Sequence, residues 1–203
     1  MLWDGHASRG WHGAKGVEFP AAGWSMADGV LTVLGTKGEA KGGDIVTVEE
    51  FAAFELQLEF QVTEGANSGI KYFVMPDQSG APVGLEFQLI DDERHPDANK
   101  GVDGNRTTAS LYDLIPRGEL PRGLGIAPQA GAWQHARIVV TPTGHVEHWL
   151  NGIKVVEFER GAADFASRLA RSKYAKVPGF GLAEKGPVLL QDHGDVVRYR
   201  SIK

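Results

Sequence analysis

The densest chemistry in this 203-residue chain lies in Gly84-Leu85-Glu86-Phe87-Gln88-Leu89-Ile90-Asp91-Asp92-Glu93-Arg94-His95-Pro96-Asp97. It begins as an alternating strand, with Leu85, Phe87 and Leu89 on one face and Glu86 and Gln88 on the other. Two residue rises separate Glu86 and Gln88 by about 7 Å. A carboxylate and an amide so placed could bind sugar hydroxyls, and Glu86 could act as an acid or base. An ordinary exposed polar face is the competing reading. Past the strand, Asp91, Asp92, His95 and Asp97 offer ligands to a hard divalent cation such as calcium. Their spacing fits no EF-hand loop, and a solvated turn rich in Asx-type bonds explains the same composition. Arg106, beside Thr107 and Thr108, could clamp an oxyanion or a diol. Its alternative is a loop-ordering ion pair with Asp91, Asp92 or Asp113. His148 and Trp149 point to opposite faces of one strand; Trp149 could stack on a sugar ring, or either residue could fill the core. Gln191, His193 and Asp195 alternate, so on one face Asp195 could orient the His193 imidazole as a base. Asp192-His193-Gly194-Asp195 reads equally well as a tight turn.

These groups need a scaffold, and alternation supplies one. Strands are expected over Gly29–Leu34, Phe54–Val62, Ile70–Met75, the Glu86 segment, Ser110–Ile115, Gln134–Val140, His145–Leu150 and Ile153–Phe158. Tyr112 and Asp113 then fall on opposite faces of their strand. Asn151-Gly152 is a strong hairpin signal. Pro187–Gln191 and Val196–Ile202 form a last expected pair across Asp192-His193-Gly194-Asp195. Asp164–Tyr174 reads as a short helix, capped by Asp164 and carrying Phe165 and Leu169 at i and i+4. Many short strands and one helix predict an all-β, two-sheet antiparallel sandwich of jelly-roll type, as one domain over residues 1–203. The long polar loop from Asp91 to Ser110 fits an ordered functional segment.

The bulk composition narrows the function. Apolar residues make up 42% and the net charge is -5, with Lys and Arg scattered, so neither nucleic acid nor an anionic membrane is an expected partner. The absence of cysteine excludes disulfides, thiolate metal sites and cysteine nucleophiles. No apolar run approaches the roughly 18 residues of a membrane span. There is no Gly-x-Ser-x-Gly elbow, phosphate loop or dinucleotide fingerprint, which argues against serine acyl transfer and nicotinamide chemistry. The chain opens directly in domain-like sequence, Leu2-Trp3-Asp4-Gly5, which fits either a cytoplasmic protein or one whose leader has been removed.

One set of segments, taken in order, resembles a known family. They are Gly43-Asp44-Ile45, Asn67-Ser68-Gly69-Ile70-Lys71-Tyr72, Glu86-Phe87-Gln88-Leu89-Ile90-Asp91-Asp92, His95-Pro96-Asp97-Ala98 and Gly104-Asn105-Arg106-Thr107. Ser110-Leu111-Tyr112-Asp113, Trp133-Gln134, His148-Trp149-Leu150-Asn151-Gly152 and Leu190-Gln191-Asp192-His193-Gly194 follow. The pattern resembles the 3-keto-disaccharide hydrolase domain, a concanavalin A-like lectin/glucanase jelly roll. The resemblance implies a bacterial enzyme that cleaves glycosides whose glucose C3 is a ketone, in an exported protein of the periplasm or medium. A C3 ketone acidifies the C2 proton, so loss of that proton can expel the C1 substituent, with hydration to follow. That route needs a base at C2, a donor or cation at the enolate oxygen and an acid for the leaving group. Within the family pattern, His148 or His193 is the expected base. Lys71, Arg106 or a divalent cation at Asp91, Asp92 and His95 is expected at the oxyanion, and Glu86 or Asp91 as acid or ligand. Asn67, Gln88, Tyr112, Trp149 and Gln191 are the expected sugar contacts. Direct hydrolysis by paired carboxylates is the other chemical route, and a non-catalytic carbohydrate-binding module is the alternative function for such a scaffold.

Overall fold

A computed structural model describes residues 2–36, 42–121 and 126–203. Among the described residues, twelve strands form two antiparallel sheets. β1 (Trp11–Gly13), β4 (Ile45–Thr47), β11 (Leu189–Leu190), β6 (Asn67–Pro76) and β7 (Pro82–Ile90) make a five-stranded sheet in that spatial order. β10 (Ile153–Glu159), β9 (His145–Leu150), β8 (Gln134–Val140), β5 (Phe54–Val62), β12 (Val197–Arg200), β3 (Val30–Val33) and β2 (Trp24–Ala27) make a seven-stranded sheet. The two sheets stack as the expected jelly-roll sandwich.

Sequence alternation explains the seven-stranded sheet. Leu56, Leu58, Phe60 and Val62 of β5 and Ala136, Ile138 and Val140 of β8 are buried, while Glu55, Gln57 and Glu59 face out. β9 and β10 turn at Asn151 and Gly152, whose φ values of +50° and +82° suit a two-residue hairpin that matches strand twist. The β6–β7 pair of the five-stranded sheet is different. Asn67–Phe73 of β6 and Gly84–Ile90 of β7 are buried without a break, so both faces are covered there. The inward face supplies Ile70, Tyr72, Leu85, Phe87 and Leu89 to the core. The outward face carries Asn67, Lys71, Glu86 and Gln88.

Across the core, the Tyr72 hydroxyl lies 2.8 Å from Nε2 of His148, and Nδ1 of His148 lies 3.0 Å from the Ala109 carbonyl. The imidazole packs on Phe87 with ring centroids 4.8 Å apart. Two polar partners inside an apolar shell make His148 a structural bridge between the sheets.

Several elements depart from the sequence reading. Ser110–Ile115 is a turn closed by a Leu111–Ile115 bridge, with Asp113 at φ +63°. Its short stretch of apolar residues packs inward without forming a strand. β11 and β12 belong to different sheets, so Asp192–Asp195 is a crossover rather than a hairpin turn. The helix α1 covers only Ala163–Leu169; Ala162 stands at its N-cap, and Asp164 pairs with Arg168 at 2.8 Å instead of capping. A second helical turn, of 3-10 type, spans Pro96–Asn99. β1, β2 and β4 were not foreseen, being too short to show a period.

Burial drives the His148 pKa down to about 4 from 6.5. A folded pKa below the unfolded one favours the native state above pH 6.5, and that stability is lost as pH falls toward 4. The shift corresponds to about 3 kcal/mol. Urea unfolding of wild type and His148→Gln across pH 4–8 should show a shallower decline in the variant between pH 6.5 and 4. Identical pH dependence would remove His148 from this role.

Candidate active site

The outer face of β6 and β7 holds an unusual pair. Lys71 stands directly opposite Glu86 in the strand register, which places their Cβ atoms roughly 4.5–5.5 Å apart. Glu86 is 4% exposed and Lys71 8%, so only their tips reach the surface. Gly69, one position along the same face, is what allows this. A methyl group on Gly69 would stand 2.2 Å from Oε1 of Glu86. The carboxylate therefore lies over a bare backbone that no larger residue could offer. Asn67 follows on β6, its backbone N–H held by Asp195 Oδ2 at 3.0 Å.

One wall comes from the loop after β7. Its backbone runs along the β7 edge: Ala109 N–H donates to the Gln88 carbonyl at 2.8 Å and Tyr112 N–H to the Glu86 carbonyl at 3.0 Å. Tyr112 is thereby fixed beside Glu86. Its hydroxyl donates to Asp97 Oδ2 at 2.7 Å, and Arg106 donates to Asp97 Oδ1 and Asp113 Oδ1 at 2.8 Å each. Asp113 Oδ2 in turn accepts the Lys173 backbone N–H at 2.7 Å, and Lys173 Nζ sits 4.1 Å from the Tyr112 ring centroid. The opposite wall is Asp44 with the Asp192 crossover. Asp44 Oδ1 accepts the Asp192 N–H at 2.9 Å, while Asp192 accepts from Gly42, Gly43 and Gly194. Asp44 and Asp192 line a cleft of about 480 Å³ that is open to solvent.

The electrostatics follow from this arrangement. Burial pushes the Glu86 carboxyl above the usual carboxylate range, against the opposing pull of Lys71 and Lys173. Burial likewise raises Asp44, again resisted by Lys71. The nearby charges of Lys71, Asp44 and His193 each act on Glu86, which puts all four groups in one neighbourhood. Burial lowers Lys173, with Glu86 opposing. Burial also resists ionisation of Asp97, but the bonds from Tyr112 and Arg106 outweigh it and hold that carboxyl low.

The structure gathers Glu86, Lys71, Asn67, Tyr112, Gln191 and His193 on and around the outer face of β6 and β7, while the 480 Å³ cleft itself is lined by Asp44 and Asp192. Gln191 pairs its N–H with the Gly69 carbonyl at 3.0 Å, and His193 is exposed at the rim. Other expectations are corrected. His148 is 0% exposed inside the sandwich and reaches no cleft. Trp149 lies on the outer face of the other sheet, against Arg137 and bonded to Glu147, so it is neither a core residue nor a contact in this cleft. Arg106 spends its guanidinium on Asp97 and Asp113, which makes it a support of the Tyr112 wall. Gln88 is 1% exposed, and its amide donates to Asn67 Oδ1 at 3.3 Å, so it steadies Asn67 from beneath. Asp195 holds the Asn67 backbone and does not orient His193.

The expected cation set does not converge either. Asp91 accepts backbone N–H groups from Gly65, Glu93 and Arg94; Asp92 accepts from Thr108 N–H and Arg117; His95 Nδ1 accepts from Asp97 N–H. Adjacent in sequence, the two carboxylates face different partners and order the loop. Among the described residues, the one group of three potential ligands within 4.8 Å of one another is His145, Glu147 and Glu157, on the opposite sheet.

Sequence reasoning gave no role to Asp44 or Lys173. Asp44 belongs to the Gly43-Asp44-Ile45 segment, which was the available signal, but it lies just before a strand of only three residues. Lys173 lies in an irregular stretch where no period marks a facing direction.

The described residues contain no helix long and apolar enough to cross a membrane. The chain is 34% identical, over 227 aligned residues, to a 3-keto-disaccharide hydrolase of Bacteroides thetaiotaomicron, covering 100% of this chain and 76% of that protein. A crystal structure of a predicted glycosyl hydrolase from Parabacteroides distasonis superposes with a TM-score of 0.84 at 28% identity, covering 100% of this chain and 90% of that one. A second such structure from the same organism gives a TM-score of 0.64 at 27% identity, covering 88% and 87%. Residues 1–203 match the model of the 3-keto-α-glucoside-1,2-lyase-like domain, and the chain belongs to that family.

Proposed function

We propose that this protein cleaves glycosides whose glucose carries a ketone at C3, through loss of the C2 proton, expulsion of the C1 substituent and addition of water. The observation that carries this reading is Lys71 opposite Glu86 on the outer face of the five-stranded sheet. A base for the C2 hydrogen and a donor for the C3 oxygen must act on adjacent carbons, and cross-strand neighbours, close at Cβ, can both reach one substrate. The name of the Bacteroides relative supports a 3-keto substrate.

Glu86 removes the C2 proton, and its dehydrated carboxylate is a stronger base than one in water. The electron pair forms the C2–C3 enolate, and the Lys71 ammonium meets the charge on the C3 oxygen. The enolate then expels the C1 oxygen, which takes its proton from Asp44, whose raised pKa keeps the acid form available. Water adds at C1 of the resulting enone and C2 regains a proton, giving 3-keto-glucose and the free alcohol. Tyr112, Asn67 and Gln191 hold the sugar, and His193 stands at the mouth.

Steady-state turnover of methyl 3-keto-α-glucoside tests the assignment. Glu86→Gln and Lys71→Met should each lower kcat/KM roughly 100-fold or more with the fold retained. In wild type, kcat/KM should rise with pH through a midpoint above 4.5, because Glu86 must be ionised and its pKa is raised. Lys71 holds that pKa down, so residual activity of Lys71→Met should rise at a higher pH than wild type. A midpoint that moves down, or full activity in Glu86→Gln, overturns the roles given. A module that only binds sugars would give no turnover at any pH.

Gly69→Ala tests the seat of the carboxylate. The added methyl displaces Glu86, and a shift near 1 Å can cost about 100-fold in rate. The unfolding midpoint should change little, since the moving group is a flexible side-chain end. Unchanged kcat/KM would show that Glu86 does not need that seat.

A further inference from the structure

Beyond Asp44 the cleft does not end. A second cavity of about 400 Å³ lies on the outer side of the five-stranded sheet, and Ala14 and Pro82 line both, so the two adjoin as neighbouring parts of a trough. The walls of the far cavity are Val46, Val48, Val74, Met75, Pro82 and Pro187. Its polar side chains already have partners. Thr47 Oγ donates to the Glu49 carbonyl at 2.7 Å and accepts the Val188 N–H at 3.0 Å. His12 Nδ1 lies 2.7 Å from the Gly16 carbonyl, and Glu50 pairs with Lys185 at 3.1 Å. Among the described residues no Trp, Tyr or Phe lines this cavity to serve as a stacking platform for a sugar.

Resting on the proposed reaction, we infer that this trough receives the leaving group, and that the favoured leaving group is an apolar, ring-sized alcohol or phenol rather than a second sugar. A second sugar would find few protein partners for its hydroxyls in a groove whose polar side chains are already engaged. An aryl group gains by leaving water for the same walls. Asp44, the donor to the departing oxygen in the proposed reaction, lines the first of the two adjoining cavities. This preference would separate the chain from a relative named for disaccharides.

The test uses unoxidised sugars, so binding is read apart from catalysis. Calorimetry would compare 2-naphthyl α-glucoside, methyl α-glucoside and trehalose on wild type and on a Val74→Asn/Met75→Gln variant. The inference predicts that wild type binds the naphthyl glucoside at least tenfold more tightly than either other sugar. The double variant should lose that advantage while binding methyl α-glucoside as before. Trehalose binding as tightly as the naphthyl glucoside overturns the inference, and so does a double variant that weakens all three equally. If the predicted order holds but neither methyl nor naphthyl 3-keto-α-glucoside is turned over, the trough assignment stands and the proposed reaction falls.

Discussion

Everything in this site depends on holding a lysine and a glutamate, face to face, on a sheet surface that is nearly sealed. Removing charges from water is costly, and mutual attraction repays that cost only when geometry is good and other polar groups assist. Here the assistance is partial. Glu86 gains Lys71 and the more distant Lys173, yet burial still wins and its pKa ends above the usual range. Such an imbalance is poor for stability and useful for proton transfer, because a carboxylate short of solvation takes a proton more readily.

The surrounding architecture follows from that constraint. Gly69 removes its side chain so that the Glu86 carboxylate can lie flat on the strand. The loop after β7 gives its backbone to the strand edge and so sets Tyr112 against Glu86. The acidic cluster Asp91, Asp92 and Asp97 orders that loop: Asp91 gathers backbone N–H groups, Asp92 binds Arg117, and Asp97 joins Tyr112 to Arg106. On the far side, Asp192 ties the crossover to Gly42 and Gly43 and thereby fixes Asp44. Beneath the sheet, His148 links the two layers through Tyr72, the residue next to Lys71.

The long strands were legible because period-two alternation survives wherever one face is solvated, as in Phe54–Val62. Glu86 was legible because a carboxylate on an otherwise apolar strand needs an explanation, and Lys71 through the family resemblance. The family pattern in the sequence pointed to the fold and the chemistry together. What the sequence hid was direction and partnership. One residue of the His148-Trp149 pair had to face the core, and nothing local said that it was the histidine. Arg106, Asp91 and Asp92 look the same in sequence whether they bind substrate, a cation or one another. Only their distances, 2.8 Å from Arg106 to Asp97 for one, show them committed to the loop. Asp44 escaped notice because it lies outside any strand, ahead of one only three residues long, and its role depends on a neighbour nearly 150 positions away.

The central claim is that a side chain of this protein takes the C2 proton of a 3-keto-glucoside. Its most direct measurement is turnover of methyl 3-keto-α-glucoside in D₂O, with the product examined by NMR against the exchange seen without enzyme. The account predicts 3-keto-glucose carrying deuterium at C2 at a rate that follows turnover. Product formed at full rate with its C2 hydrogen retained would mean direct hydrolysis and would contradict it.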